Sequence, residues 1–254
     1  MSANVSALPL ADRVSVVTGA SRGIGRAIAL RLAQAGARVA FAYRSHDAEA
    51  ASLLDELRAL GREAHAEKLD VADFAAAQAF ADGVRSRLGD IDILVNNAGV
   101  VVDRPLFAMS EADWDVVLDT NLKGAFNLSR AVLGRMMRRS SGRIVNIASV
   151  SGLRGVPGQA NYAASKAGLL GLTRALAAES ARFGVTVNAV APGFIDMEML
   201  RSMPEDKRRE LAKQIPMARL GSELDVAEAV LYLVSDAAAY VTGAVLPVDG
   251  GLLL

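Results

Sequence analysis

Tyr162 and Lys166 stand four residues apart in the stretch Asn161-Tyr162-Ala163-Ala164-Ser165-Lys166-Ala167-Gly168. On a helix, residues i and i+4 share one face, one above the other. A tyrosine alone titrates near pH ~10, too high to give up and regain a proton at neutral pH. A unit positive charge about 4 Å away, at an effective dielectric of about 20, is worth ~4 kcal/mol, enough to lower the phenol's pKa by up to ~3. The spacing therefore predicts a proton donor tuned by its lysine neighbour. Taken singly, the pair reads just as well as a solvated helix face. It acquires chemical meaning only if the chain also supplies a hydride carrier and a group that holds a carbonyl.

A place for such a carrier lies near the amino end. Val14-Ser15-Val16-Val17-Thr18 is a β-branched run that reads as a buried strand. Gly19-Ala20-Ser21-Arg22-Gly23-Ile24-Gly25 follows directly. Gly19, Gly23 and Gly25 let the backbone approach a pyrophosphate, and the amino end of the next helix favours its charge. Glycine is common in strand-to-helix turns; this set is distinguished by sitting at the first such junction.

The elements that must position these residues alternate. A helix from about Ile24 to Ala35 stops at Gly36, and Arg38–Tyr43 is a strand. Helices follow at about Ala48–Leu60, Phe74–Leu88, Glu111–Arg138 (with Ser110 as N-cap), Ala160–Phe183 and Glu223–Val234. The intervening strands read as Ala64–Leu69, which is polar, then Ile91–Val95, Arg143–Ala148, Val185–Ala191 and Ala244–Val248. Strands alternating with helices predict an α/β fold, a parallel sheet covered on both faces. With no linker or composition shift, one domain is expected. The stretch from about Asp196 to Pro216 breaks the alternation and is bounded by prolines. It reads as a helical insertion over the sheet's carboxyl edge, where open α/β sheets bind ligands.

The totals exclude several classes. The 254 residues are 52% hydrophobic and 22% charged, with zero formal charge, so a large core is expected and no general attraction to nucleic acid or membrane. There is no cysteine, hence no disulfide or zinc-thiolate site. His46 and His65 lack ligand-spaced partners, so no metal site is expected. No signal peptide and no apolar run of ~18 residues is evident, and a cytoplasmic protein is the expectation.

The glycine spacing Gly-x-x-x-Gly-x-Gly, introduced by Thr18, resembles the short-chain dehydrogenase/reductase family, and the resemblance extends over nearly the whole chain. Asn96-Asn97-Ala98-Gly99 at the end of the fourth strand, Asn121 in Thr120-Asn121-Leu122, Ser149 in Ile147-Ala148-Ser149, Tyr162 with Lys166, Pro192-Gly193, and the tail Val241-Thr242-Gly243 to Asp249-Gly250-Gly251 all match that family in order. Gly158 to Ala164 and Ala191 to Ile195 look most like its 3-oxoacyl-(acyl-carrier-protein) reductases. The resemblance implies a single NAD(P)-binding, Rossmann-like, doubly wound domain over 1–254, with the insertion at about 196–216 as a substrate lid. It also implies that the cofactor meets Gly19, Ser21, Arg22, Gly23, Ile24, Gly25, Tyr43, Arg44, Asp70, Val71, Asn97, Ala98, Gly99, Tyr162, Lys166, Pro192, Gly193 and Ile195, with Asp70-Val71 at the adenine.

Cofactor choice is read from the second strand. NAD enzymes often end it with an acid that takes the ribose 2′-hydroxyl. Here Tyr43 is followed by Arg44, and Arg22 lies in the glycine loop, so a 2′-phosphate and NADPH (NADP+ in reverse) are expected; ordinary surface arginines are the alternative. The implied catalytic set is Asn121, Ser149, Tyr162 and Lys166. Tyr162 gives a proton to the carbonyl oxygen, Ser149 orients that oxygen, Lys166 lowers the phenol and holds the nicotinamide ribose, and Asn121 positions a water relaying protons to Lys166. Read singly, Ser149 could be a strand-end hydroxyl and Asn121 a solvent-facing polar residue.

One departure stands out: many relatives carry a threonine after Pro-Gly for the nicotinamide carboxamide, and Met197 fills that slot, leaving backbone groups such as Ile195. Met197, Met199, Leu200, Met203 and Met217 suit either a lid over an acyl chain or ordinary packing. An acidic carrier protein would want a basic patch at the mouth, and Arg135, Arg138, Arg139 and Arg182 could form one, or be solvated helix ends. The substrate expected is a 3-oxoacyl thioester, small or carried on an acyl carrier protein, in fatty acid or polyketide synthesis. Another ketone, sugar or acyl-CoA, or a non-catalytic dinucleotide sensor or scaffold, is the alternative. A homotetramer is implied by resemblance. Ala163, Ala164, Gly168, Gly171 and Ala175 would permit close helix approach, or serve the chain's own core.

Overall fold

The computed structural model describes residues 8–197 and 204–254. Its strands are β1 (Val14–Thr18), β2 (Arg38–Tyr43), β3 (Ala64–Lys68), β4 (Ile91–Asn96), β5 (Gly142–Ile147), β6 (Val185–Pro192) and β7 (Val245–Val248). They pair in parallel in the order β3-β2-β1-β4-β5-β6-β7. β1, β5 and β6 are buried at every residue, as strands covered on both faces must be. The polar character of β3 has a simple cause: it is an edge strand with no fully buried residue, and β7 at the other edge is the same.

The helices are α1 (Gly23–Gln34), α2 (Asp47–Ala59), α3 (Phe74–Leu88), α4 (Glu111–Leu118), α5 (Gly124–Arg138), α6 (Ala160–Ser180), α7 (Glu205–Lys213) and α8 (Glu223–Val234). One face of the sheet packs Ile28 and Leu32 of α1, Leu53 of α2 and Val230 of α8. The other packs Phe80 of α3, Leu128, Val132 and Met136 of α5, and Ala177 of α6. The strand order reverses at β1 and β4, which opens a crevice at their carboxyl ends.

Two departures from the sequence reading concern helices. The single helix expected over 111–138 is two, α4 and α5, joined by a π-helical turn at Asp119–Lys123. Its cause is Asn121, which is 1% exposed. The Asn121 amide donates to Val100 O at 3.0 Å, and its Oδ1 accepts from Val100 N at 2.7 Å. Reaching the backbone after β4 requires the helix to widen there, a common device at functional sites. Helix α6 likewise ends earlier, with a 3-10 turn at Ala181–Phe183. Ser110 caps α4 as expected, in a capping box with Asp113.

A buried polar chain ties two helices to the sheet. Asn96 on β4 donates to Asn146 Oδ1 on β5 at 2.8 Å and to Ser129 of α5 at 3.0 Å, and Asn146 donates to Thr173 of α6 at 2.8 Å. The small residues of α6 divide. A Cβ on Gly168 would lie 2.8 Å from Leu122 Cδ2, so that glycine serves internal packing, whereas Gly171 faces open space.

After β6, Ile195 bridges Gly221, with Asp196 N donating to Gly221 O at 2.8 Å and Gly221 N to Phe194 O at 2.9 Å. Helix α7 supplies the helical part of the expected insertion, and none of its residues is buried. Its Arg208 ion-pairs Asp196 at 2.9 Å. Met199, Leu200 and Met203 lie outside the described residues. No helix among the described residues is long and apolar enough to cross a membrane.

Candidate active site

A cleft of about 840 Å³ runs along the carboxyl ends of β1, β2, β4, β5 and β6. Every residue expected at the cofactor lines it, from Gly19 to Ile195, and so does Ser149. Asn121 does not line it; the asparagine acts one layer behind, through Val100.

The nucleotide end is built on backbone proximity. Thr18 Oγ1 accepts from Asn97 N and Ala98 N, both at 3.0 Å, and Asn97 Nδ2 donates back to Thr18 O and Gly19 O, both at 3.0 Å. That exchange clamps the glycine turn onto the strand end beside it. Gly19 has φ +66°, and a Cβ on it would lie 2.8 Å from Ala98 Cα. A Cβ on Gly25 would overlap Asn97 Nδ2 and the Gly19 carbonyl. Both positions therefore need glycine, for backbone conformation at the first and for space at both. The side chain of the N-cap residue Arg22 does not cap α1, and no acid occupies its first turn, so the helix amino end presents its N–H groups to the cleft. This donor set fits the pyrophosphate of a dinucleotide.

At the outer mouth stand Arg22, Arg44, Asp70 and, unforeseen, Ser45, His46 and Glu223. Arg44 Nη1 lies 4.0 Å from Asp70 Oδ2, both half exposed. Such a pair is worth roughly 0–1 kcal/mol, so an arriving phosphate can draw Arg44 away. Ser45 and His46 follow directly on Arg44, a signal the sequence did hold. Glu223 arrives from the start of α8, and nothing local marks it.

The inner end carries Ser149, Tyr162 and Lys166. Ser149 and Tyr162 line the cleft together, and the serine hydroxyl acts on the phenol in the direction that lowers its pKa. Ser149 Oγ also accepts from Ser151 N at 3.1 Å, and its own proton remains available for donation. Lys166 is 4% exposed; its Nζ donates to Ile147 O at 2.7 Å and sits 5.5 Å from the centre of the Tyr162 ring. Burial pushes the Tyr162 phenol up, with the Asp103 carboxylate adding to the rise; the Ser149 hydroxyl opposes them. The Lys166 ammonium is held on the same side of the ring by the Ile147 carbonyl. Burial pulls Lys166 itself down to about 8. The site thus holds a protonated phenol beside an ammonium that titrates within reach of neutrality.

Of the two readings of the arginines at 135, 138, 139 and 182, a basic patch at the mouth or helix ends away from it, the structure supports the second. Arg139 donates to Ile91 O at 2.7 Å and pairs with Asp92 at 3.1 Å, and Arg135 lies 4.0 Å from Asp90. Those partners begin β4, at the sheet edge opposite the cleft. Arg138 ends the helix leading to β5, and Arg182, stacked on Phe183, precedes β6 at that same edge. Helix carboxyl ends in a parallel α/β unit lie at the strand amino edge, which spacing alone did not bring out. His65 is a half-buried residue of the expected strand β3, 3.2 Å from Glu67. No group of three metal-ligating side chains occurs among the described residues.

Comparison with known proteins adds the following. A family profile described as enoyl-(acyl carrier protein) reductase matches residues 19–253. The 3-oxoacyl-(acyl-carrier-protein) reductase FabG of Staphylococcus aureus (strain N315) is 46% identical over 240 residues, covering 94% of this chain and 98% of the relative. The protein of that description from Escherichia coli (strain K12) is 46% identical over 242 residues, covering 95% and 98%. A crystal structure assigned as a short-chain alcohol dehydrogenase from Sinorhizobium meliloti 1021 superposes with a TM-score of 0.92 at 43% identity, covering 97% of this chain and 98% of that one.

Proposed function

The chain belongs to the short-chain dehydrogenase/reductase family, and from that premise we propose that it reduces the 3-oxo group of an acyl thioester carried on an acyl carrier protein, with NADPH, in fatty acid synthesis. The family works with a nicotinamide dinucleotide, which suits the cleft. The observation that carries the reading is that Ser149, Tyr162 and Lys166 line one end of the cleft together, with the serine hydroxyl near enough to lower the phenol's pKa. Two O–H donors side by side are what a single carbonyl oxygen needs as it gains charge.

Bound NADPH supplies hydride to the ketone carbon. Tyr162 gives its phenolic proton to the oxygen, and Ser149 donates a hydrogen bond to that oxygen and orients it. The raised phenol stays protonated at neutral pH, as an acid in the reductive direction must. The Lys166 ammonium steadies the phenolate left behind and holds the nicotinamide ribose. Asn121 fixes Val100 at the cleft wall and positions a water that returns a proton through Lys166. Arg22 and Arg44 take the 2′-phosphate.

The segment 196–216 serves as the substrate lid, closing over an acyl chain. A homotetramer in the cytoplasm completes the reading; Phe107, 93% exposed just before α4, is a side chain that a partner copy would cover.

The test is NADPH oxidation with 3-oxoacyl groups on carrier protein, on CoA and as short ketone analogues, each repeated with NADH. Rapid NADPH-dependent reduction of the carrier-bound 3-oxoacyl group is expected. No turnover of any 3-oxoacyl thioester would refute the proposal. A 2-enoyl thioester belongs in the same series, because the family profile carries that description; preference for it would shift the reaction from C=O to C=C.

A further inference from the structure

We propose that Gln159 is a positioning residue that sets the Ser149 hydroxyl against the Tyr162 phenol; the inference rests on the reading of those two as the proton-donating pair. Gln159 is the N-cap residue of α6, and its carbonyl accepts the helical bond from Ala163 N at 2.7 Å. It is thus fixed to the helix that carries Tyr162. Its side chain reaches two other segments. Gln159 Oε1 accepts from Ser151 Oγ at 2.9 Å, and Gln159 Nε2 donates to Asp103 Oδ2 at 3.3 Å. A carboxylate can only accept, so the Asp103 contact fixes which way the amide points and leaves Oε1 for Ser151.

Ser151 is the link to Ser149. It is 9% exposed, and its N–H is the donor to Ser149 Oγ at 3.1 Å. Its own hydroxyl, two residues from the reacting pair, would otherwise be free to seek Ser149 Oγ or the phenol. Gln159 takes up that hydroxyl. One lone pair of Ser149 Oγ is filled by Ser151 N, and no competing donor comes from Ser151 Oγ. The proton of Ser149 is then left for Tyr162 and a substrate oxygen. One amide therefore joins the turn bearing Ser149, the helix bearing Tyr162 and the loop after β4. That loop is further tied to α6 by Arg104 N donating to Gly158 O at 2.8 Å and by Asn161 Nδ2 donating to Val102 O at 3.1 Å. Gln159 lines no part of the cleft, so it acts on geometry and not on the ligands.

The experiment compares Gln159→Ala, Ser151→Ala, the pair of them, and Tyr162→Phe, with acetoacetyl-CoA as substrate. Steady-state constants are read alongside the NADPH dissociation constant from cofactor fluorescence. Gln159→Ala is expected to lower kcat roughly 10- to 100-fold, because small errors of reacting geometry cost that much, with NADPH affinity changed less than about twofold. The double variant is expected to be no worse than the worse single one, since the two side chains act as one unit. Rescue comes from Gln159→Glu combined with Asp103→Asn, which keeps an acceptor for Ser151 and reverses the donor in the second bond. This pair should recover most of kcat, while Gln159→Glu alone, which sets two carboxylates together, should not. Should Gln159→Ala fail to fold, the reversed pair against Gln159→Glu alone decides the matter in the same way. Gln159→Ala with wild-type kcat, or a loss of NADPH binding equal to the loss of kcat, would overturn the proposal. Survival of activity in Tyr162→Phe would instead overturn the reading beneath it.

Discussion

The two ends of the cleft are built on different principles. At the nucleotide end, Thr18, Gly19, Gly25 and Asn97 leave no room: backbone touches backbone, and a single added carbon collides. At the substrate end, among the described residues, the loop after β6 is bridged to Gly221 and paired to helix α7 through the part-exposed Arg208 and Asp196. Helix α7 buries none of its residues, and Met217 is 62% exposed. The difference teaches that shape is fixed in advance where the ligand does not vary, and left adaptable where an acyl group would have to be accommodated. Binding at the first end depends on steric exclusion; at the second, on contacts made after arrival.

Mutations can break this contrast at either end. The largest effect is expected at the chemistry between them: Tyr162→Phe should cost roughly 10²- to 10⁴-fold in kcat, the usual worth of a general acid, with NADPH affinity kept. Retention of more than a few per cent of turnover contradicts the role. Next comes Gly25→Val. Its side chain has to displace Asn97 or the Gly19 carbonyl, so NADPH affinity should fall by about 100-fold or more, given ~3 kcal/mol for overpacking a tight site. Titration of cofactor fluorescence measures it. A normal dissociation constant would show that the nucleotide end is softer than the contacts imply. Arg44→Ala should reduce the preference for NADPH over NADH by roughly tenfold, the value of one charge-assisted contact; unchanged kcat/KM ratios would remove Arg44 from the 2′-phosphate.

The pH dependence sharpens the comparison without mutation. Lys166 titrates at about 8 because it is buried, against 10.5 for an ordinary lysine. The ammonium form supports turnover, so kcat/KM should fall roughly tenfold per pH unit above about 8. Stability moves the other way. Between about 8 and 10.5 the unfolded chain holds this proton and the folded chain does not, so unfolding takes up a proton and raising the pH favours the folded state. Denaturant midpoints and kcat/KM measured over the same pH series should diverge; a parallel fall would remove Lys166 as their common origin. The smallest effect is expected at the adaptable end. Arg208→Ala removes a part-exposed pair worth roughly 0–1 kcal/mol. It should raise KM for a 3-oxoacyl thioester no more than about fivefold and leave NADPH affinity alone.

What the sequence made legible was local. The glycine turn, the i to i+4 pair and the Asn97-Ala98-Gly99 stretch each carry their meaning within a few residues, and the sheet followed from alternation. What it withheld depends on distance along the chain. The π turn exists because Asn121 reaches Val100, and Ser149 is aimed through Ser151 by Gln159, which is anchored on Asp103. None of these pairings has a signature in spacing. The orientation of Lys166 is of the same kind: spacing placed it on one face with Tyr162, and the carbonyl of Ile147, nineteen residues earlier on β5, decides where the ammonium points. Whether the arginines at 135, 138, 139 and 182 face the cleft or the opposite edge was equally hidden, because helix direction relative to the sheet is a property of the assembled fold.

The wide turn at Asp119–Lys123 is also a change of phase. Each residue of a regular helix advances about 100°, so the extra residue carried in that turn resets the azimuth of everything after it. Leu128, Val132 and Met136 meet the sheet only because of that offset. Deleting one residue there would give a smoother helix with its apolar stripe rotated into water. The irregularity that presents Asn121 to Val100 and the regularity that seats α5 on the sheet are therefore inherited together, and neither can be tidied without the other.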